Sequence, residues 1–324
     1  MFPDASYFTD AYGLLITRSA ELSPIAQSFI RNMNRVRGLG QLPLSLVYST
    51  TLNESARVEA LVKKGLSIDD PRLFTGDQFD ATLFAEIEAE KGRLIEEWKK
   101  ALGFSDRRLR NCINSVNQAL DVHKDLAWEG VQATLSAMLM GLWTAFEVLA
   151  EDTWIVAVNN RPDPLAKRIL ESAKDLGTGT QIKSISWPEI AGQGFDLRTS
   201  MGTVLVRQRA VDFKELKAIR KAYKIAFNEA FESIFEKYMV ELGRLEALRN
   251  LYAHKGGIVD EKFIRRMEGD SEYKDLKTSL SVWINGGYVA AKANAVCASC
   301  TELISAVDNW LVENPATNDA ASDS

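Results

Sequence analysis

Apolar residues recur three or four positions apart along most of this chain, which is the period of an α-helix. The clearest run extends over 213–248 and contains an aromatic or aliphatic residue at nearly every turn. A run of that length predicts two helices, with a break near Phe227 to Ala230. Few segments show the alternation of a half-buried strand, so the pattern predicts an all-α fold.

The same period predicts further helices over 20–37, 53–66, 81–102, 107–128, 129–159 and 289–312. Gly38, Gly40 and Pro43 are expected to separate the first two of these helices. Two prolines in 159–164 end the long apolar helix, because proline removes a backbone donor. The segment 203–207, Thr-Val-Leu-Val-Arg, is predicted as a short strand.

These elements suggest three parts of the chain. Residues 1–104 form an N-terminal helical accessory region that lacks catalytic spacing and is interpreted as a partner-binding part. Residues 105–312 form a helical domain, with an irregular Gly-rich insertion at about 160–211. Residues 313–324 are polar and are expected to be a disordered tail.

Composition and charge narrow the functional classes. The chain has 324 residues and a formal net charge of −5, so RNA contact would require a local basic surface. The apolar stretch Val131 to Ala150 is interrupted by Gln132 and Glu147, and is expected to be a core helix outside any membrane. The start of the chain does not have the pattern of a signal peptide, so a cytoplasmic location is expected.

Cysteine provides little chemistry in this sequence. The three cysteines are too few for a disulfide framework. Cys297 and Cys300 have the spacing of a zinc half-site, but Cys112 and His123 are distant in sequence and no second ligand pair follows. We therefore expect core cysteines, without a metal site or a cofactor.

The most informative segment is Arg249-Asn250-Leu251-Tyr252-Ala253-His254, which contains one of only two histidines in the chain. Arginine can hold a phosphate, and histidine can move a proton near neutral pH. Gly256 and Gly257 follow and predict the end of the helix, which places His254 in its last turn. The spacing alone favours a histidine that caps carbonyl groups at a helix end, beside an exposed arginine.

The spacing also sets a geometric condition. Asn250 and His254 are four residues apart and share a helix face, whereas Arg249 lies about 140° from His254 around the helix. Either the long arginine stem covers part of this angle, or a two-fold dimer places Arg249 near His254 of the other chain. His254 would then take a proton from a ribose 2′-hydroxyl while Arg249 holds the adjacent phosphate.

Residues 248–260 resemble the Arg-Asn-x-x-x-His segment of the HEPN superfamily, and the helix with Trp143 to Glu147 looks like the first core helix of that family. The resemblance covers roughly 105–312. It implies an up-and-down helical bundle that pairs into a homodimer, with Arg249 and His254 as the catalytic pair and Asn250 as the polar position. Glu147 is a looser match, as a supporting acid.

The resemblance further implies a metal-independent endoribonuclease of a toxin–antitoxin or antiviral defence system, with RNA as substrate and a cognate antitoxin or regulatory partner. Some members of the family serve as binding modules. The alternative is therefore a non-catalytic, dimeric adaptor that binds RNA or a protein.

A basic stretch precedes the motif and is a candidate for RNA contacts. Over 207–224, seven cations face two acids, which gives a local net charge of +5. The candidate RNA-binding residues are Arg207, Arg209, Lys214, Lys217, Arg220, Lys221 and Lys224, together with Lys255 after the motif. The alternative interpretation is a solvated face of an amphipathic helix.

Overall fold

The computed structural model describes residues 15–74, 76–100, 118, 124–175, 187–192, 194, 197 and 199–315. Its helices are α1 (Ser23–Lys63), α2 (Ala81–Lys100), α3 (Lys124–Asn160), α4 (Pro162–Asp175), α5 (Trp187–Gly192), α6 (Met201–Arg207), α7 (Leu216–Phe227), α8 (Glu232–Lys255), α9 (Glu261–Arg266) and α10 (Gly286–Glu313). Within this described part, the sole β-pairing is an isolated antiparallel bridge between Ile258 and Ser281. The predicted all-α class is confirmed.

The chain divides into two compact units. The larger unit contains residues 1–39 and 132–324, and the smaller unit contains residues 40–131. The predicted domain boundary at 104 and 105, the polar tail after 315 and most of the helix predicted over 107–128 lie outside the described residues. The predicted break between 128 and 129 is wrong, because α3 continues through it from Lys124 to Asn160.

Helix α1 corrects the prediction of two separate helices near the N-terminus. It extends from Ser23 to Lys63 and includes Gly38, Gly40 and Pro43, which were expected to end a helix. Each half buries apolar side chains in its own unit, such as Phe29 in the larger and Ala60 in the smaller. Because tertiary burial supplies most of the stability of a protein helix, it overrides the low helix propensity of these positions.

The smaller unit has its own hydrophobic core between α1 and α2. The core contains Ala56, Ala60, Leu61, Leu73, Ile87 and Leu94, all at most 8% exposed. Charged residues outside this core also join the two helices, since Nζ of Lys63 lies 3.2 Å from Oε1 of Glu90. The prediction of a helix near 81–102 is confirmed by α2.

The core of the larger unit is built around α3. Trp154 donates from its indole nitrogen to the carbonyl of Ala222 (3.2 Å), and the Tyr223 hydroxyl donates to the carbonyl of Ala150 (2.8 Å). These bonds satisfy polar groups on fully buried rings and attach α7 to α3. Helix α3 ends at Asn160, directly before the proline-rich run, as predicted.

The segment Trp128–Asn160 is long and apolar enough to cross a membrane by length and composition. However, 56% of its most apolar window is buried inside the protein. Trp143, Leu142 and Trp154 on this helix are completely buried. This burial agrees with the prediction of a core helix.

The break predicted near 227–230 is confirmed. Helix α7 ends at Phe227, a 3-10 turn covers Asn228–Phe231, and α8 follows. Phe227 and Phe231 pack against each other with their ring centroids 4.6 Å apart, and both are buried. Buried rings on both sides of the turn thus hold the two helices at the break.

The predicted strand over 203–207 is wrong, because these residues lie in α6. Gly202 lets this helix approach α3 so closely that an added Cβ would lie 2.6 Å from the Ile155 carbonyl oxygen. The Asn159 side chain accepts from the Gly202 amide at 2.7 Å. Likewise, the insertion at 160–211 contains α4, α5 and α6 and is not irregular in its described parts.

Candidate functional site

Helix α8 places the motif at its C-terminal end. Gly256 adopts the left-handed conformation (φ +58°), and its amide donates to the carbonyl of Tyr252 at 3.2 Å. His254 is in the last turn, as predicted, and its side chain is exposed. The carbonyl end of the helix favours a positive charge at this position.

The ring of Tyr252 fixes the backbone that follows the helix. Gly257 has φ +86°, and a Cβ at this residue would lie 2.7 Å from Cε1 of Tyr252. The Tyr252 hydroxyl donates to the carbonyl of Val282, and the Val282 amide donates to the carbonyl of Gly257 (2.9 Å). Burial raises the pKa of Tyr252 to about 12, so the phenol remains a hydrogen-bond donor at neutral pH.

A cavity of about 220 Å³ opens beside the motif histidine, and we call it the His254 cavity. Its lining residues are Ala247, Asn250, Leu251, His254, Lys255, Asp260, Lys262, Phe263 and Arg266. Asn250 and His254 therefore share a face, as their spacing predicts. Lys262 and Arg266 come from the short helix α9, which the Asp260 side chain caps by accepting from the Phe263 amide.

Sequence reasoning missed Lys262 as a site residue, although it lies only eight positions after His254. The signal was available, since Asp260 with an acidic first turn predicts the start of a helix. What the sequence does not reveal is that this six-residue helix packs beside the end of α8.

Arg249 points to a different surface from His254. It donates to the Asn250 Oδ1 atom at 2.9 Å, and its Nη2 atom lies 3.5 Å from Oε2 of Glu147. The residues that line the His254 cavity include Asn250 but not Arg249. Burial raises the pKa of Glu147, and the positive charge of Arg249 opposes this shift. Glu147 thus lies beside the motif arginine.

A second cavity, of about 380 Å³, lies on the Glu147 side and contains charges of both signs. Its charged lining residues are Glu147, Glu151, Asp212, Arg207, Arg209 and Lys214. Burial also raises the pKa of Glu151. The structure therefore brings three predicted RNA-binding cations next to three carboxyl groups.

The other cations of the basic stretch either pair with glutamates, line a different cleft or are exposed to solvent. Arg220 is paired with Glu232, and Lys224 lies 3.0 Å from Glu229. Lys217 lines a separate, larger cleft, and Lys221 is exposed on α7. Lys255 lines the His254 cavity. The predicted cations thus line three different cavities, pair with glutamates or lie exposed on α7.

The described cysteines lie on α10 as free thiols, Cys300 fully buried and Cys297 partly buried. Burial raises the pKa of both thiols, which keeps them protonated. Cys112 and His123 lie outside the described residues. Within the described ranges, no three His, Cys, Asp or Glu side chains are grouped to hold a metal ion.

Comparison with known proteins adds no relative. No protein-family model, no curated protein and no solved structure matches this chain. The resemblance of residues 248–260 to the HEPN motif therefore rests on those residues alone.

Proposed function

We propose that this protein is a metal-independent endoribonuclease of HEPN type, with a bundle fold and a role in toxin–antitoxin or antiviral defence in the cytoplasm. One observation carries the proposal. His254 is exposed at a helix end and lines a small cavity in which three cations, Lys255, Lys262 and Arg266, outnumber the one carboxylate, Asp260. Asn250 is the remaining polar residue of the lining. A proton-transfer group beside fixed positive charge suits attack at a phosphodiester.

In the proposed reaction, His254 takes the proton from a ribose 2′-hydroxyl, and the 2′-oxygen forms a bond to the adjacent phosphorus. The bond from phosphorus to the 5′-oxygen breaks, and that oxygen takes a proton from a second histidine. The products are a 2′,3′-cyclic phosphate and a 5′-hydroxyl. Arg249 would stabilise the negative charge that develops on the non-bridging oxygens.

The geometry favours a site made by two chains. Arg249 is held by Glu147 and Asn250 on one side of α8, while His254 faces the cavity on the other side. A two-fold dimer would place Arg249 and His254 of different chains in one cleft, and it would supply the second histidine. Asn250 bonds to Arg249 and also lines the His254 cavity, so it lies between the two groups.

The test is cleavage of structured and single-stranded RNA in EDTA by the wild type, His254→Ala and Lys274→Ala. Lys274 is exposed and lines none of the three cavities described here. We expect His254→Ala to lose at least 100-fold in rate, because general acid–base catalysis contributes roughly 10²–10⁴-fold. The Lys274→Ala variant should keep the wild-type rate.

Two outcomes would count against this proposal. Equal cleavage by the wild type and His254→Ala would overturn the catalytic assignment. Absence of cleavage together with salt-dependent RNA binding would favour the non-catalytic adaptor instead.

A further inference from the structure

A larger cleft lies next to the His254 cavity, and we call it the α9 cleft. Its volume is about 860 Å³, within the range of roughly 300–1,000 Å³ that is typical of ligand sites. It is lined by residues of α8 and α9, by the start of α7 and by the segment that follows α9. The His254 cavity, at about 220 Å³, lies below this range.

The two cavities lie beside each other along one face of α8. The lining residues Val240, Gly243, Ala247, Asn250 and His254 follow each other at intervals of three and four, which is a single helix face. This face is about 21 Å long at 1.5 Å per residue. Lys262 and Arg266 of α9 line both cavities.

The α9 cleft has cations that the protein itself does not neutralise. Arg244 is bound to Asp270 (2.7 Å), and Arg266 is paired with the buried Glu246. In the described part of the chain, no ion pair engages the remaining cations, Lys217, Lys262 and Arg265, all of which are exposed. They outnumber the remaining carboxylates of the cleft, Glu215 and Glu268.

Apolar side chains line the cleft between these charges. Val240 is 60% exposed although it is aliphatic, and Met239 is partly exposed beside it. Methionine sulfur makes favourable contacts with aromatic rings. A cleft with exposed cations and an apolar wall suits a ligand that carries both phosphates and flat rings, because the cations contact the phosphates and the methionine contacts a ring.

We propose that the α9 cleft binds the unpaired nucleotides that flank the phosphate held at His254. Lys217, Lys262 and Arg265 contact their phosphates, and Met239 and Val240 contact their bases. This inference rests on the proposed function, because it identifies RNA as the polymer that continues from the His254 cavity. It assigns two of the three phosphate contacts to α9, which the basic-stretch prediction did not include.

Binding of a fluorescent, fully 2′-O-methylated octanucleotide tests the proposal without cleavage, because this RNA has no free 2′-hydroxyl. The test variant is Lys217→Ala/Arg265→Ala, which removes two exposed cations that line the α9 cleft but not the His254 cavity. The matched control is Lys274→Ala/Lys277→Ala, which removes two exposed cations outside both cavities. We expect at least tenfold weaker binding for the test variant and less than a twofold change for the control.

Salt dependence identifies the lost contacts as phosphate contacts. The slope of log affinity against log salt should become shallower by about 1.4 in the test variant, at roughly 0.7 for each single-strand phosphate. A base-paired octamer should bind more weakly than the single strand, because its base faces are already stacked. Absence of octamer binding by the wild type, equal losses in both variants, or an unchanged slope would overturn the proposal.

Cleavage of short RNA separates this inference from the proposed function. A dinucleotide occupies the His254 cavity alone, so the test variant should cleave it at the wild-type rate and should show a raised KM only for the octanucleotide. If wild-type protein binds the octamer through the cleft but cleaves no RNA, the proposed function fails and the cleft assignment stands. If all variants cleave RNA, and the dinucleotide and the octanucleotide have equal KM values in each of them, the cleft assignment fails and the proposed function stands.

Discussion

Single residues set the geometry at the end of α8. Gly256 closes the helix in the left-handed conformation, and Gly257 has a positive φ while it faces the ring of Tyr252. The two glycines have different requirements, since a Cβ at Gly256 would meet no heavy atom within 4 Å. Gly257 therefore combines a backbone requirement with a steric one, and it does so three residues after His254.

This difference gives a graded prediction for stability. Gly257→Ala should lower the free energy of unfolding by about 2 kcal/mol or more, because strain and overpacking add. Gly256→Ala should lower it by about 1 kcal/mol, the cost of left-handed backbone alone. Urea unfolding followed by circular dichroism at neutral pH measures both values.

The control for these variants is Gly243→Ala, in the interior of α8, where an added Cβ meets no heavy atom within 4 Å. It should stabilise the protein by about 0.5–1 kcal/mol, because alanine favours the helix. Equal losses at Gly256 and Gly257 would show that the Tyr252 ring moves freely away from its position.

Among the elements, the segment after α9 depends on α8 for its position. Arg244 of α8 holds Asp270 through two hydrogen bonds, each 2.7 Å long. Both side chains are less than one-fifth exposed. The hydrogen bond from Arg244 lowers the pKa of Asp270 below its ordinary value of 3.8. Because both residues line the α9 cleft, this pair also fixes part of the proposed RNA site.

The sign of this pKa shift predicts a pH dependence. A lowered pKa in the folded state means that the carboxylate stabilises the protein above about pH 3.8. This stabilisation is lost as the pH falls through the lowered pKa. Asp270→Asn should therefore cost about 1–2 kcal/mol at pH 7, as expected for a hydrogen bond to a charged group.

Urea unfolding of the wild type and Asp270→Asn at pH 7, 5 and 3 measures this dependence. The difference between the two proteins should be constant from pH 7 to 5 and smaller at pH 3. Other titrating groups are shared by both proteins and cancel in the comparison. A difference that grows at pH 3 would contradict the assigned direction of the Asp270 shift.

For the whole molecule, assembly is the property on which the proposed site depends. Arg249 contacts Glu147, whereas His254 lines the His254 cavity about 140° away around the same helix. In the proposed dimer, Arg249 of one chain lies near His254 of the other. If the active species is a dimer, cleavage per chain should fall as the protein is diluted below the dimer dissociation constant. If each chain has a complete site of its own, the cleavage rate per chain should stay constant on dilution.

Dilution series of cleavage, combined with sedimentation velocity at the same concentrations, test this prediction. We expect the loss of rate and the appearance of monomer at the same concentration. A fully active monomer would contradict the two-chain site, although His254 could still act within one chain.

The sequence by itself determined the helical class, the helices α2 and α10, the end of α3 before the prolines, and the break between α7 and α8. It also determined that His254 lies in the last turn before Gly256. These features are encoded locally, since helical periodicity, proline and a terminal glycine act within a few residues. Asn250 and His254 share a cavity wall for the same reason.

Only the tertiary structure decided the contacts between residues distant in the chain. It joined Glu147 to Arg249, placed Lys262 in the same cavity lining as His254, and packed α6 against α3 at Gly202. Packing selects one arrangement among many that the same local pattern allows. The position of His254, the proposed proton-transfer group, therefore follows from the local sequence pattern. The cavities beside it and the charges that line them follow from packing.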